Sequence, residues 1–135
     1  MFKINDPIDV MTAKNLNPIS LAFLGDAVYS LYVRQELVQN CDLSSGKMNK
    51  LAVGKVNAVS QASLMRKIIP NLTDDEVAVF KRARNAKKPA KAKSASVTDY
   101  NVSTGFEAVL GYLYLIGASD RIEFLLNIKG ETNED

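Results

Sequence analysis

The sequence predicts an all-α fold, organised as a single helical domain. Sustained alternation of apolar and polar residues, which marks half-buried strands, is absent, as are the Asn-Gly and Asp-Gly pairs of tight hairpins. Helix start and stop signals recur along the chain instead, and apolar residues make up 47% of its 135 residues, enough for a buried core. We therefore expect five or six helices in one domain that spans residues 1–135.

The first half of the chain carries the signals for two long helices. Asn17 and Pro18 are typical of an N-cap followed by the first helical position, and the helix that they begin runs to about residue 40. A serine at position 44 or 45 begins the next helix, which extends to about residue 69 and ends at Pro70. Gly54 lies midway along this helix and is expected to weaken it there.

The second half of the chain predicts three further helices. Residues 73–76, Thr-Asp-Asp-Glu, form a capping box ahead of the stretch VAVFKRAR. After a basic segment, another helix runs over about residues 99–116 and is closed by Gly117. Ser119 is expected to cap a last helix, which ends at Gly130.

The chain contains no histidine and a single cysteine, Cys41. This composition excludes serine or cysteine nucleophiles activated by histidine, histidine metal sites, disulfides within the chain and multi-thiolate zinc sites. Chemistry must therefore come from carboxylates, amines, hydroxyls or a metal ion held by oxygen atoms.

The N-terminus lacks an apolar signal core, and the longest apolar stretch, residues 106–118, is shorter than the roughly 18 residues that a membrane span needs. We expect a cytoplasmic protein that does not enter the membrane.

The formal net charge of +2 conceals an uneven distribution. Seven basic residues and no acid lie between positions 81 and 93, so the remaining ten basic and 15 acidic residues give the rest of the chain a charge of −5. A dense cationic segment on an acidic body favours a polyanionic partner, whereas a solvated loop without a partner is the alternative. We expect a flexible basic loop over about residues 86–98 and a short acidic tail over residues 130–135.

Two apolar helices each carry a single carboxylate, and we expect both helices to be central in the core. Asp26 is the one charged residue between positions 21 and 33, and Glu107 is the one charged residue between positions 100 and 119. On a helical wheel Asp26 lies in an apolar stripe, so we expect it to be buried and to be paired, protonated or bound to a cation. If the two carboxylates face each other, a hard ion such as Mg²⁺ between them would remove their repulsion. The alternative is two separate salt bridges, with partners among Arg34, Arg66 and Arg121.

The sequence around both carboxylates resembles a known family. Residues 21–34 read LAFLGDAVYSLYVR, which resembles the signature helix of the ribonuclease III endonuclease domain. Residues 103–115 read STGFEAVLGYLYL, which is similar to the second acidic motif of that family, and the resemblance covers about residues 16–127. The stretches RARNAK at 82–87 and YNVSTGFEA at 100–108 resemble the Mini-ribonuclease III group, which consists of the catalytic domain without a double-stranded-RNA-binding domain.

The resemblance implies a homodimer that cleaves double-stranded RNA, with one active site in each subunit. The reaction would be phosphodiester hydrolysis by a metal-activated water molecule, and it would leave 5′-phosphate ends. Asp26 and Glu107 would be the catalytic residues and would hold the cofactor, Mg²⁺. The natural substrate class would be the double-stranded stem of precursor 23S ribosomal RNA, and a large-subunit ribosomal protein bound nearby would assist.

The basic segment would take over RNA binding in the absence of a separate binding domain. Arginine side chains match phosphate groups in a bidentate manner, and an asparagine can reach a ribose 2′-hydroxyl. The residues expected to bind RNA are Arg82, Arg84, Asn85, Lys87 and Lys88. Supporting roles beside the carboxylates are expected for Gly25, Ser103 and Thr104.

Four positions depart from the family pattern. Ala22 and Thr104 stand where the family usually carries two further acids, which shifts the expected metal ligands towards water and phosphate oxygens. Ala83 replaces a usual glycine, and Asn101 replaces a usual arginine.

The first alternative function is a non-catalytic RNA-binding module of the same fold that acts in ribosome assembly. The second is a helical adaptor protein whose basic segment binds any polyanion.

Overall fold

The all-α fold class is confirmed by the computed structural model, which describes residues 5–88 and 95–128. Within these residues there are seven α-helices and one short 3₁₀ turn, Ile69–Asn71, and no strand. None of these helices is long and apolar enough to cross a membrane. The helices are α1 (Val10–Lys14), α2 (Pro18–Asn40), α3 (Ser45–Lys55), α4 (Ala58–Ile68), α5 (Asp74–Asn85), α6 (Val97–Leu115) and α7 (Ser119–Leu126).

Side-chain caps begin the helices at several of the predicted places. The Asn17 side chain accepts hydrogen bonds from the backbone N–H groups of the first turn of α2. At α5 both halves of the predicted capping box form, because the Glu76 carboxylate accepts from the Thr73 N–H at 2.9 Å and the Thr73 hydroxyl accepts from the Glu76 N–H at 3.2 Å. At the end of α6, Gly117 adopts a φ of 77°, a left-handed conformation that glycine reaches without strain.

Several predicted boundaries are wrong. The helix predicted over 44–69 is two helices, and the break falls at Asn57, whose side chain accepts a hydrogen bond from the Ser60 N–H at 2.9 Å. Gly54, where weakening is predicted, is the penultimate residue of α3, so the helix does end close to this glycine. Helix α6 begins two residues earlier than predicted, with Ser96 as its N-cap.

The ends of the chain also differ from the prediction. The short helix α1 is additional, and it begins with Asp9 as its N-cap. Ser119 is the first residue of α7 rather than its cap, and α7 ends at Leu126. The predicted end at Gly130, the acidic tail and residues 89–94 of the predicted basic loop lie outside the described residues, so the predicted extent of the single domain stays a prediction.

Helix α6 is the central helix of the fold. It is buried on almost every side, and α2, α4 and α5 pack against it. The ring of Phe106 on α6 meets the ring of Tyr29 on α2 edge-on, with ring centroids 4.9 Å apart. The prediction that α2 is equally central is wrong, because α2 leaves one face exposed that includes Phe23 and Val38.

Two glycines set the distance between α2 and α6. A Cβ atom built on Gly25 would overlap the backbone carbonyl of Glu107 and would lie 2.9 Å from the backbone nitrogen of Gly111. A Cβ atom built on Gly111 would overlap the carbonyl oxygen of Leu21. The two backbones are therefore in direct contact, and no side chain larger than hydrogen fits at either position.

Replacing Gly25 with alanine should lower the free energy of unfolding by about 3 kcal/mol, because the added methyl group forces the two helices apart. Urea unfolding followed by circular dichroism measures the change. The matched control is Gly54→Ala in α3, where a Cβ atom would meet nothing within 4 Å. The control variant should be as stable as the original chain or more so by about 0.5–1 kcal/mol, because alanine favours the helix. Equal stability of the two variants would contradict the proposed role of the crossing.

A buried ion pair fastens α7 to α5. The carboxylate of Glu76 is almost completely buried, and the Arg121 guanidinium donates two hydrogen bonds to it, each of 2.8 Å. Burial alone would raise the pKa of Glu76, but the hydrogen bonds from Arg121 and from the Thr73 backbone outweigh burial and hold that pKa below its usual 4.5. The charged form is thus the one that the folded state favours.

The ion pair predicts how stability depends on pH. Because the folded-state pKa of Glu76 is lowered, its charge stabilises the fold above the unfolded value of 4.5, and this contribution is lost as the pH falls through the folded-state value. Glu76→Gln should cost about 2 kcal/mol at pH 7 and progressively less below pH 4.5, as measured by urea unfolding across this range. The same change at the exposed Glu123 should have little effect at any pH. A cost of Glu76→Gln that is constant with pH would contradict this account.

Candidate active site

An open cleft of about 220 Å³ between α2 and α6 holds both predicted carboxylates. Asp26 and Glu107 both line this cleft and lie close enough for the charge of Asp26 to raise the pKa of Glu107. The close glycine crossing accounts for this proximity, since Asp26 follows Gly25 directly and the Glu107 backbone is in contact with it. The residues that line the cleft are Ile19, Ala22, Phe23, Asp26, Lys88, Tyr100, Thr104 and Glu107.

Asp26 is exposed in the structure, and the prediction that it is buried is wrong. The helical wheel correctly places Ala22, Val33 and Leu37 near it, and these three side chains are buried in the core, whereas the side of α2 that carries Asp26 borders the open cleft. Phe23, one turn earlier, is 84% exposed. Asp26 therefore remains hydrated, and its ionised form does not carry the desolvation cost that a core position would impose.

Glu107 is partly buried, and the charge of Asp26 affects its protonation. Burial and then the negative charge of Asp26 raise the pKa of Glu107 to about 8, although a hydrogen bond from Gln61 acts in the opposite direction. The two carboxylates therefore repel each other when both are ionised. A cation placed between them would favour the ionised form of both groups.

The alternative of two separate salt bridges is wrong for the part of the chain that the structure describes. Each arginine that could have paired with Asp26 or Glu107 has another partner. Arg34 donates to the Ser30 hydroxyl, Arg66 pairs with Asp99 at 2.6 Å, and Arg121 pairs with Glu76 at 2.8 Å. Across residues 5–88 and 95–128 no salt bridge reaches either cleft carboxylate.

The oxygen atoms of the cleft fit a hydrated Mg²⁺ better than a metal enclosed by protein ligands. Within the described ranges there is no group of three or more His, Cys, Asp or Glu side chains that could hold a metal ion. Ala22 and Thr104 both line the cleft, and the Thr104 hydroxyl donates to the Tyr100 carbonyl oxygen at 3.0 Å. Two carboxylates would thus be the charged protein ligands, and Mg²⁺ commonly keeps several waters in such sites.

Sequence reasoning missed one residue beside the cleft, Gln61 on α4. Its side chain is buried, and its amide donates to the Ser103 hydroxyl at 2.8 Å and lies close enough to the Glu107 carboxyl to lower its pKa. Ser103 therefore contacts Gln61 and does not line the cleft, and its predicted supporting role stays a prediction. A signal did exist in the sequence, because Gln61 is a polar residue on the apolar face of α4 that also carries Met65 and Ile68.

The predicted RNA-binding residues separate into two groups. Arg82, Arg84 and Asn85 lie in the last turns of α5 rather than in a loop. The Arg82 guanidinium donates to the backbone carbonyl oxygens of Lys14, the last residue of α1, at 2.6 Å and of Leu16 at 3.2 Å, so it joins α5 to the end of α1. Arg84 lies over the Phe80 ring, 5.5 Å from the ring centroid, and donates to the Asn85 side chain.

The two lysines that follow α5 differ from each other. Lys87 is exposed, whereas Lys88 lines the cleft with Asp26 and Glu107. The Lys88 ammonium group donates to the carbonyl oxygens of Arg84 and Ala86, at 3.0 and 2.8 Å. Burial lowers the pKa of Lys88. The Lys88 ammonium group thus lies in the same cleft as the two carboxylates, where it could form an ion pair with a phosphate group.

Comparison with known proteins agrees with this arrangement. The sequence profile of the ribonuclease III domain matches residues 19–117. The Mini-ribonuclease 3 of Enterococcus faecalis is 44% identical over 127 residues, which cover 90% of this chain and 96% of that protein. The Mini-ribonuclease 3 of Clostridium tetani is 40% identical over 116 residues, 85% of this chain and 77% of that protein. A crystal structure of a Fusobacterium nucleatum protein superimposes with a TM-score of 0.78 at 33% identity, covering 84% of this chain and 90% of that one.

The chain belongs to the ribonuclease III family. It is an endoribonuclease, and within the family it groups with the Mini-ribonuclease 3 proteins, as the resemblance of the stretches at 82–87 and 100–108 predicts.

Proposed function

We propose that this endoribonuclease cleaves double-stranded RNA with Mg²⁺ held between Asp26 and Glu107, and that its substrate is the stem of precursor 23S ribosomal RNA. The observation that supports this site is that Asp26 and Glu107 line the same cleft and interact there. The double-stranded stem and its source in ribosomal RNA rest on the resemblance to the family. When bound, Mg²⁺ would activate a water molecule and stabilise negative charge on the scissile phosphate.

The side chains of the cleft would have different roles in binding the ion and the RNA. Asp26, which is exposed, would meet the ion from the solvent side, and Glu107 would meet it from the α6 side after losing its proton. The Lys88 ammonium group is within the same cleft and would exchange its bonds to backbone carbonyls for a phosphate oxygen. The absence of histidine is compatible with this chemistry, because no side chain has to act as an imidazole base.

We propose that the RNA backbone lies along the end of α5. Arg84, Asn85, Lys87 and Lys88 are the residues that can face it, whereas the Arg82 guanidinium is engaged by two carbonyl oxygens within the chain. A-form RNA exposes its phosphates and 2′-hydroxyl groups along a wide minor groove, which a short basic edge can follow without reading bases. Binding through phosphates should weaken as salt increases.

We propose a homodimer formed through the exposed face of α2. Phe23 is 84% exposed and Val38 is 67% exposed on this face, which is unusual for two large apolar side chains on one helix. Phe23 also lines the cleft, so that a second copy packed here would lie beside the catalytic carboxylates. Two clefts in one dimer would let each subunit cut one strand of the RNA.

Two further expectations come from the resemblance alone. A large-subunit ribosomal protein bound near the cleavage site would present the RNA stem, and the enzyme would act in the cytoplasm, where precursor ribosomal RNA is processed. Both stay predictions.

The activity is tested by incubating the chain with a double-stranded stem of precursor 23S ribosomal RNA, with and without Mg²⁺. We expect cleavage that requires Mg²⁺ and leaves 5′-phosphate ends. Asp26→Asn and Glu107→Gln should each lower the rate by about 100-fold or more, because each removes a ligand that neutralises charge in the transition state. RNA binding, measured by filter retention, should persist in both variants.

Asp120→Asn on α7 is the matched control, since Asp120 is an exposed acid that does not line the cleft. Its cleavage rate should equal that of the original chain. If the original chain binds the stem but does not cut it with any divalent ion, the non-catalytic RNA-binding module is the better explanation. Cleavage of other double-stranded stems at the same rate would contradict the ribosomal substrate while leaving the activity in place.

The dimer is tested with Phe23→Ala. We expect the original chain to sediment as a dimer, and the variant to dissociate at concentrations about 100-fold higher, because a large apolar anchor is removed from the interface. Stability of the folded subunit should change little, since Phe23 is 84% exposed within it. Phe124→Ala, at a phenylalanine that is 52% exposed on α7, is the control and should remain dimeric. A monomeric original chain would rule out the proposed interface.

A further inference from the structure

We propose that Gln61 is a positioning residue that orients the Glu107 carboxylate towards the metal ion. The inference rests on the proposed Mg²⁺-dependent activity and adds a role for a residue outside the cleft. Gln61 does not line the cleft and would not touch the substrate or the ion. It would act through Glu107 alone.

The amide group of Gln61 joins two residues of α6. Its nitrogen carries two N–H groups, one of which donates to the Ser103 hydroxyl at 2.8 Å, while the amide also lies close enough to the Glu107 carboxyl to lower its pKa. Ser103 and Glu107 are four residues apart and so lie on one face of α6. The two N–H groups of the Gln61 amide can therefore be directed towards two side chains of α6 that are one helical turn apart.

The backbone around Gln61 is held firmly, which a positioning residue requires. Only 2% of Gln61 is exposed, and its neighbours Ala62 and Met65 on α4 are completely buried. Helix α4 packs on α6 along its length, and the Arg66 side chain pairs with Asp99 at 2.6 Å near the other end of the contact. Gln61 can thus hold Glu107 without moving with it.

The small number of carboxylates makes this orientation important. Thr104 and Ala22 stand in the cleft at the two positions where further acids would otherwise share the ion. A Glu107 carboxylate whose one oxygen is directed towards the Gln61 amide would present its other oxygen to the cleft. Fixing that arrangement before the ion binds avoids the loss of side-chain entropy on binding.

The test compares Gln61→Met with the original chain in two measurements. Methionine has a similar length and no donor, so the Mg²⁺ concentration for half-maximal cleavage should rise about 10-fold, while KM for RNA stays unchanged. In the second measurement, without RNA, the Mn²⁺ concentration that broadens the Glu107 backbone amide resonance in NMR spectra should rise by the same factor. Ser103→Ala removes the second partner of the amide and should shift both concentrations in the same direction, by a smaller factor.

Two further variants separate positioning from a general loss of stability. Ile122→Val on α7 should cost about 1 kcal/mol of stability and leave both metal concentrations unchanged. Gln61→Asn keeps the amide but shortens the side chain by one methylene group, so it should show the same metal defect even if Gln61→Met folds poorly. An original chain that does not cleave RNA with Mg²⁺ would refute the proposed function. An active original chain, with unchanged metal concentrations in both Gln61 variants, would refute the positioning role.

Discussion

The fold depends on one close contact, the crossing of α2 and α6 at Gly25 and Gly111. Because neither residue has a side chain, the two backbones touch, and the helices cannot slide or rotate without overlapping. Asp26 follows one glycine, and Glu107 lies one turn before the other. The backbone contact itself therefore brings both carboxylates to one cleft, and α4 and α5 hold α6 in place from its remaining sides.

Bringing two carboxylates together costs free energy, which the packing of the helices must offset. The repulsion is evident at Glu107, because burial and the charge of Asp26 raise its pKa to about 8. A proton on Glu107 relieves the repulsion in the free protein, and a divalent ion would relieve it further by neutralising both groups. Binding such an ion would release that proton. A chain without histidine would thus still have a group that titrates near neutral pH.

The sequence predicts several helix starts correctly and identifies the two carboxylates that line one cleft, because both depend on local patterns. Caps such as Asn17 need only the first turn of their own helix, and the acidic motifs could be recognised by resemblance. The sequence indicates a weak point at Gly54, close to the end of α3, but a full break also needs the Asn57 side chain, which caps the new helix α4. Gln61 was missed for a different reason, since its role depends on contacts with Ser103 and Glu107 that only the packing of α4 against α6 creates.

The wrong prediction for Asp26 shows what an apolar stripe on a helix indicates. Val33 and Leu37, which share the stripe, are buried in the core, so the stripe identifies a buried side of α2 but does not fix the exposure of each residue along it. Gly25 faces α6, whereas Phe23, about 200° away on the helix, is exposed. Asp26 lies between these two directions. In the proposed dimer each cleft would therefore open at the edge of the subunit interface, where a polymer too large to enter the core of one chain could reach both carboxylates.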